Sequence, residues 1–264
     1  MPFAFSTLGC PDRSMQEVLE LATSTGVSGL ELRAAPDAGV HVGLDDAERA
    51  RLRTAFEAAG MRVLTVASYL RVCDPGDDGA FVRDAVDHLR LAADLGASYV
   101  RTFPGSDADD LEGDARAVRR LSECVATAKS LGVRICLETH DSHPRGSDIS
   151  GILHMLDQQS PAHEVEVVWD ALHPWRAGET PESTLQAIGP WLAYVQIKDA
   201  DDDGVLRKVG DGRVPLDRIA AQLPDRADRW WSLEWEKLWH PEIADLPEAL
   251  EPALAWYRRA VSPA

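Results

Sequence analysis

The order in which strand-like and helix-like segments follow one another leaves few folds open to this chain of 264 residues. Eight apolar runs are short, rich in β-branched or aromatic residues and almost uninterrupted by polar ones. That pattern is typical of parallel strands covered on both faces. The runs predict strands at Phe3–Leu8, Gly29–Leu32, Arg62–Val66, Tyr99–Phe103, Val133–Leu137, Val165–Trp169, Leu192–Ile197 and Trp230–Leu233.

The segments between the predicted strands have the residue spacing of amphipathic helices. Val82, Val86 and Leu89 recur at intervals of three and four residues, as on the buried face of an amphipathic helix. Four glycines each follow such a segment shortly before the next strand, where a left-handed residue ends a helix. They are Gly26, Gly60, Gly96 and Gly132, and the last helix is predicted at about Leu246–Arg259.

Eight strand–helix units match the (β/α)8 barrel, or TIM barrel, whose usual size is about 250 residues. The competing architecture is an open doubly wound sheet, which normally carries a glycine-rich phosphate turn after its first strand. That turn here reads Thr7-Leu8-Gly9-Cys10-Pro11, and neither a G-x-G-x-x-G nor a P-loop motif occurs in the sequence. We therefore predict an α/β fold, a single-domain TIM barrel over residues 1–264.

The charge balance restricts the partners. There are 27 Lys and Arg residues against 44 Asp and Glu, a net charge of −17, whereas nucleic acids and anionic membranes require positive surface. We therefore expect neither a nucleic acid nor a membrane as a partner. The sequence also shows no signal peptide and no apolar run of about 18 residues, the length of a membrane span. The cysteines form no C-x-x-C motif and predict reduced core thiols in a cytoplasmic protein. They are Cys10, Cys73, Cys124 and Cys136.

Polar residues collect where the later strands end, which in a barrel is the catalytic face. Since residues i and i+2 of a strand share a side, four oxygen-bearing side chains can converge from adjacent strands. They are Glu138, Asp170, Gln196 and Glu234. Three carboxylates and an amide oxygen suit a hard divalent cation, Mg²⁺ or Mn²⁺. The alternative is a structural ion network in which the acids pair with Arg33, Arg101 or Lys198.

The strand ends, read in order, resemble the motifs of the xylose-isomerase-like TIM-barrel superfamily, the sugar phosphate isomerase/epimerase family. The resemblance covers essentially the whole chain, and it depends on the ordered set because each motif alone is weak. The matching segments are Leu137-Glu138-Thr139-His140, Trp169-Asp170-Ala171-Leu172-His173, Val195-Gln196-Ile197-Lys198-Asp199 and Ser232-Leu233-Glu234-Trp235-Glu236, with support from Ser6-Thr7-Leu8-Gly9, Gly29-Leu30-Glu31-Leu32-Arg33 and Gly210-Asp211-Gly212-Arg213-Val214-Pro215.

The resemblance implies roles position by position. Glu138, Asp170 and Glu234 match metal ligands of the superfamily, and in its ketose epimerases the two glutamates are also the acid/base pair. His173 matches a histidine that contacts substrate hydroxyls. Gln196 departs from the pattern, because that position is usually histidine in an H-x-K-D run. An amide oxygen shifts the preference from zinc toward Mg²⁺ or Mn²⁺, and the departure also leaves open that Gln196 does not bind metal.

Lys198 could bind a substrate oxygen, move a proton, or only neutralise Glu234 and Asp199. At the rim, Arg101, His140 and Arg207 are weaker candidates for substrate contacts.

We predict a metal-dependent isomerase or epimerase of a small sugar or polyhydroxy carbonyl compound, acting through an enediolate with Glu138 and Glu234 as ligands and acid/base pair. A lyase on the same scaffold, such as an inosose-type dehydratase or a β-eliminating glycoside-cleaving enzyme, is the main alternative. A binding barrel without turnover and an apurinic-site endonuclease are weaker ones. Homo-oligomers are common in the look-alike enzymes, but no interface is legible in this sequence.

Overall fold

The computed structural model describes residues 1–107, 109–161 and 163–262, and in these ranges the main sheet is a closed parallel barrel. The predicted TIM barrel is therefore confirmed. Around the barrel the strands follow the order β1-β10-β7-β6-β5-β4-β3-β2, and β8 pairs with β9 as a small antiparallel hairpin. The strands are β1 Phe3–Ser6, β2 Gly29–Arg33, β3 Arg62–Arg71, β4 Tyr99–Phe103, β5 Arg134–Glu138, β6 Val165–Asp170, β7 Leu192–Ile197, β8 Asp199–Ala200, β9 Leu206–Arg207 and β10 Trp231–Leu233.

Helices follow the barrel strands and cover the outside of the barrel. Two have capping boxes, and one of these is α1, where the Ser14 and Glu17 side chains each accept the other's backbone N–H. The predicted glycine stops are confirmed, because all four glycines have positive φ. The helices are α1 Met15–Thr25, α2 Asp46–Ala58, α3 Asp78–Leu95, α4 Gly113–Leu131, α5 Gly146–Gln159, α6 Leu172–Arg176, α7 Pro181–Ile188, α8 Leu216–Gln222 and α9 Leu246–Ala260.

Two strands differ by two or more residues from the sequence prediction, and the others differ by at most one residue at either end. The first ends at Ser6 because Thr7–Gly9 form a 3-10 turn, whose start is capped by Ser6 Oγ. The third continues from Val66 to Arg71, since Arg71 pairs with Phe103 of β4 after a shift of register. Both differences occur at the carboxyl ends of the strands, where the candidate site residues lie.

Apolar side chains form two separate packed regions. The larger lies between the barrel and the helices, and the smaller fills part of the barrel interior. Within the interior, the rings of Tyr99 and Tyr194 approach to 5.8 Å although their strands are not neighbours. Two residues further along the same strands, the side chains become polar. The interior apolar layer, Ala4, Leu64, Tyr99, Cys136, Val168 and Tyr194, is therefore the floor of the candidate site.

The four cysteines are buried and free, as the sequence predicted. Burial raises the pKa of the Cys10 and Cys73 thiols to about 12. No helix within the three described ranges combines the length and the apolar character needed to cross a membrane.

Candidate metal and active site

The four predicted ligand residues meet above the apolar floor. Glu138 ends β5, Asp170 ends β6, Gln196 pairs in register with Asp170, and Glu234 follows β10. Glu138, Asp170 and Gln196 are fully buried, and Glu234 is 5% exposed. One oxygen from each of the three carboxylates lies within 4.8 Å of the others. The chain thus brings together acids from positions almost a hundred residues apart in the sequence.

Two oxygens in this group, Glu138 Oε1 and Gln196 Oε1, lack a hydrogen-bond donor among the described residues. A third, Asp170 Oδ2, has only the Lys198 ammonium nearby, at 3.1 Å. The amide of Gln196 is oriented by Glu31, whose Oε2 accepts from Gln196 Nε2 at 3.1 Å, so the amide oxygen points away from that carboxylate. Buried polar atoms without partners are rare and require a cause such as an ion. The donor set, carboxylate and amide oxygen, fits a hard divalent cation.

Two buried cations also pair with these acids. Arg101 Nη1 donates to Glu138 Oε2 at 2.9 Å. Lys198 Nζ lies 3.1 Å from Asp170 Oδ2, 2.5 Å from Glu234 Oε2 and 2.7 Å from Glu236 Oε1. The ion network that the sequence left open is therefore present. Among the described contacts, five carboxylates (Glu31, Glu138, Asp170, Glu234 and Glu236) face these two cations, so the network leaves an excess of negative charge that a bound cation would offset.

The two glutamates of the predicted acid/base pair differ in pKa. Burial raises the pKa of Glu138 to about 7, although Arg101 opposes the shift. Burial also acts on Glu234, but the Lys198 ammonium and the Arg101 guanidinium bring its pKa below the ordinary value. Environments that separate the pKa values of two neighbouring carboxyl groups are typical of a general acid and a general base.

A series of rings leads from the outer rim to the carboxylates. Trp239, which is 53% exposed, lies 6.4 Å from the Tyr69 ring, and Tyr69 lies 6.2 Å from Phe103. Phe103 lies 5.1 Å from the His140 ring, which is 4.3 Å from His173. Both histidines place a ring nitrogen within 4.8 Å of Glu138. Rings of this kind give a wall on which the apolar face of a small molecule can pack.

The two histidines are not equivalent. Burial lowers the pKa of His173 well below its usual value, helped by Lys198 and His140, so the ring is neutral and its Nε2 is buried without a partner. His140 is only half-buried, and Asp141 and Glu138 raise its pKa. The backbone of His173 also supports the ligand group, because its N–H donates to Asp170 Oδ1 at 3.2 Å.

Arg207 and Asp199 lie apart from the carboxylates. Arg207 is exposed on β9, and its guanidinium donates to Asp201 Oδ2 at 2.7 Å. Among the described residues, no contact between Arg207 and the carboxylate group supports its predicted role in substrate binding. Asp199 is not neutralised by Lys198. It accepts from the backbone N–H groups of Gly210 at 2.8 Å and Val214 at 3.1 Å, and so shapes the loop after β9.

Sequence reasoning missed two supporting side chains. Glu31 accepts from Tyr194 Oη at 2.7 Å across the barrel, and both residues are fully buried. Burial and the charge of Glu234 raise the pKa of Glu31 to about 7. A charged residue inside the apolar run Gly29–Leu32 was the available signal, because an unpaired buried carboxylate is costly.

A family comparison agrees with this geometry. The sequence pattern of the xylose isomerase-like TIM barrel family matches residues 19–260. The chain belongs to this family. The resemblance inferred from the strand-end motifs is therefore confirmed. No curated protein sequence matches the chain at a significant level.

Solved structures with the same fold are distant in sequence. A D-psicose 3-epimerase, solved in the presence of D-fructose, is 16% identical with a TM-score of 0.81, covering 99% of this chain and 100% of that one. The IolI protein, solved with a bound zinc atom, is 19% identical with a TM-score of 0.79, covering 99% and 98%. A probable 3-DHS dehydratase, AsbF from Bacillus anthracis, is 18% identical with a TM-score of 0.79, covering 97% and 98%. These likenesses establish the fold, and the three proteins include an epimerase and a probable dehydratase.

Proposed function

We propose that this family member is a metal-dependent isomerase or epimerase of a small sugar or polyhydroxy carbonyl compound. The observation that carries the proposal is the group of buried oxygens beside Asp170 and Glu234, of which Glu138 Oε1 and Gln196 Oε1 have no donor among the described residues. Structural ion pairs alone do not account for it, because Arg101 and Lys198 leave those two oxygens without a hydrogen bond.

Glu138, Asp170, Gln196 and Glu234 would hold Mg²⁺ or Mn²⁺, both of which prefer oxygen ligands. A divalent cation there would polarise the substrate carbonyl and favour negative charge on its oxygen. Arg101 holds Glu138 through Oε2, which leaves Oε1 directed elsewhere. Glu31 similarly fixes the Gln196 amide through its Nε2 atom.

The proton steps follow from the different environments of the two glutamates. Glu234 is kept ionised by Lys198 and would take the proton from the carbon next to the carbonyl. Glu138, with a pKa of about 7, would return a proton to the intermediate. Lys198 would stabilise the charge on Glu234 and would not itself act as an acid or base, since its ammonium group contacts three carboxylates. His173 and His140 would contact the hydroxyl groups of the substrate, with the rings from Phe103 to Trp239 as the wall of the cleft.

A dehydratase or another β-eliminating lyase is the second candidate, because it begins with the same proton abstraction. His140 favours it, since Asp141 and Glu138 raise the pKa of its ring, which could therefore protonate a departing hydroxyl. The two reactions differ in their products: an epimer or isomer keeps the composition of the substrate, whereas a lyase product has lost water or a glycosyl group.

The experiment combines metal analysis with solvent exchange. Protein loaded with Mn²⁺ or Mg²⁺ is incubated with a panel of ketoses and keto-acids in D2O, and proton NMR detects deuterium at the carbon next to the carbonyl. We expect exchange with at least one compound, and its loss by a factor of about 10³ or more in Glu234→Gln, with the fold retained. Glu242→Gln is the matched control, because Glu242 is 70% exposed.

Full activity of Glu234→Gln on a compound that the unmodified protein converts would refute the mechanism. A purified protein with no stoichiometric metal, and no exchange with any compound, would favour a binding barrel without turnover.

A further inference from the structure

A second group of ligand-type side chains lies outside the carboxylate site. Cys73 follows β3, Asp114 lies in the first turn of α4, and His143 follows β5. One ligand atom from each lies within 4.8 Å of the others. We propose that Cys73, Asp114 and His143 bind a thiophilic divalent cation of the Zn²⁺ class, at a site separate from the Glu138–Asp170–Glu234 group.

The distances are close to those that zinc requires. His143 Nε2 lies 2.8 Å from Asp114 Oδ1, a contact that a shared proton bridges. A tetrahedral ion with bonds of about 2.0–2.3 Å places its ligand atoms about 3.3–3.6 Å apart. Replacing the shared proton with the ion therefore lengthens the Nε2–Oδ1 distance by roughly half an ångström. The Cys73 sulfur has to move toward these two atoms by about one ångström at most.

The histidine ring is already held for ligation. Its Nδ1 lies 2.8 Å from Ser142 Oγ, and that hydroxyl accepts from the Ser106 backbone N–H at 3.1 Å. Histidines that bind metals through one ring nitrogen generally hydrogen-bond through the other, which fixes the ring. The serine pair supplies that support. It also ties the loop after β4 to the loop after β5.

The cysteine is positioned by its backbone rather than by its thiol. Its N–H donates to Pro104 O at 2.9 Å, and Arg116 donates to its carbonyl oxygen. The residue is fully buried, and no described side chain donates to or accepts from the sulfur. Burial and the Asp114 carboxylate raise the pKa of the thiol to about 12, which argues against a nucleophile. A metal ion, in contrast, displaces the thiol proton on binding.

The ligand atoms make the site selective. Sulfur and nitrogen ligands favour Zn²⁺ and Co²⁺ over hard ions such as Mg²⁺. Arg116 and Arg120 stabilise the thiolate form of Cys73, which is the form that binds a metal. Asp114 and His143 are 46% and 13% exposed, so an ion can enter from solvent.

Cobalt tests the site, because a sulfur-to-Co²⁺ charge-transfer band in the near ultraviolet requires a thiolate ligand, and the carboxylate group contains none. Chelator-stripped, reduced protein is titrated with Co²⁺ under anaerobic conditions. We expect one equivalent to produce the band and Zn²⁺ to abolish it, while Mg²⁺ leaves it unchanged. Zn²⁺ at a hundredfold excess over its Kd should also raise the melting temperature by roughly 5–10 °C.

Variants locate the ligands. Cys73→Ser should abolish the band, and His143→Gln should weaken Co²⁺ binding at least tenfold. Cys124→Ser is the matched control, since Cys124 is another buried free cysteine on α4, and Glu234→Gln should also keep the band. Absence of the band in the unmodified protein, or its persistence in Cys73→Ser, overturns the proposal. If Cys73→Ser does not fold, unchanged Co²⁺ affinity in both His143→Gln and Asp114→Asn overturns it instead.

Discussion

Lys198→Met tests whether the ammonium group and a divalent cation stabilise the same carboxylates. Lys198 is 1% exposed, and its Nζ contacts Asp170, Glu234 and Glu236 within 3.1 Å. Removing one partner of a buried ion pair costs about 3–5 kcal/mol. For a chain of this length each kcal/mol lowers the melting temperature by about 2–4 °C. We therefore expect a loss of roughly 10 °C in chelator.

With saturating Mn²⁺ the loss should shrink by roughly a third, because the ion supplies part of the missing charge. Mn²⁺ should also bind the variant roughly tenfold more tightly, since one neighbouring positive charge is gone.

Thermal unfolding with chelator and with Mn²⁺ measures both effects. Lys208→Met is the matched control, because Lys208 pairs with Glu248 at 3.0 Å but is 33% exposed. Such surface pairs contribute about 0–1 kcal/mol. The reasoning fails if Lys198→Met in chelator melts within 2 °C of the Lys208 control. It also fails if the loss is the same with and without Mn²⁺.

Two other changes probe the ligand group. Gln196→His should move metal preference toward Zn²⁺ by roughly tenfold over Mn²⁺, because imidazole is a softer donor, and competition titration of the two ions would contradict this if their ratio stayed constant. In chelator, the free energy of unfolding should fall as pH rises from 4.5 to 7, because Glu31 and Glu138 hold protons more tightly folded, with a pKa of about 7, than unfolded. Each glutamate contributes about 3 kcal/mol at most. Glu31→Gln should therefore reduce the pH dependence of the free energy of unfolding, measured by urea titration, by the contribution of Glu31. An equal slope in both proteins would contradict the raised pKa of Glu31.

The sequence predicted the parts of the site that depend on strand direction. Parallel strands all end on one face, so Glu138, Asp170, Gln196 and Glu234 had to lie on the same side of the barrel once their strands were recognised. Alternation within a strand then aimed them inward. The common direction of the strands and the alternation of side chains were therefore enough to bring the four residues together.

The contacts that the sequence did not predict join side chains of different strands. Glu31 of β2 meets Tyr194 of β7, 163 positions later, across the barrel interior. Lys198 faces Glu236, whereas its neighbour Asp199 turns to the loop backbone. Which side chains meet in this way depends on the tilt of the strands and the width of the barrel, and local periodicity contains neither. The Cys73–Asp114–His143 group was missed for the same reason, since its members come from two loops and the first turn of α4.

The pairing of β1 with β10 has a consequence for synthesis. The strand Phe3–Ser6 leaves the ribosome before its partner Trp231–Leu233, which follows more than two hundred residues later. At about 5–20 residues per second, the nascent chain waits for roughly 10–50 s with one edge of an apolar strand open. Glu234 arrives with that last strand. The Glu138–Asp170–Glu234 group is thus completed when the last strand closes the barrel, and an ion bound there would stabilise the newly closed barrel.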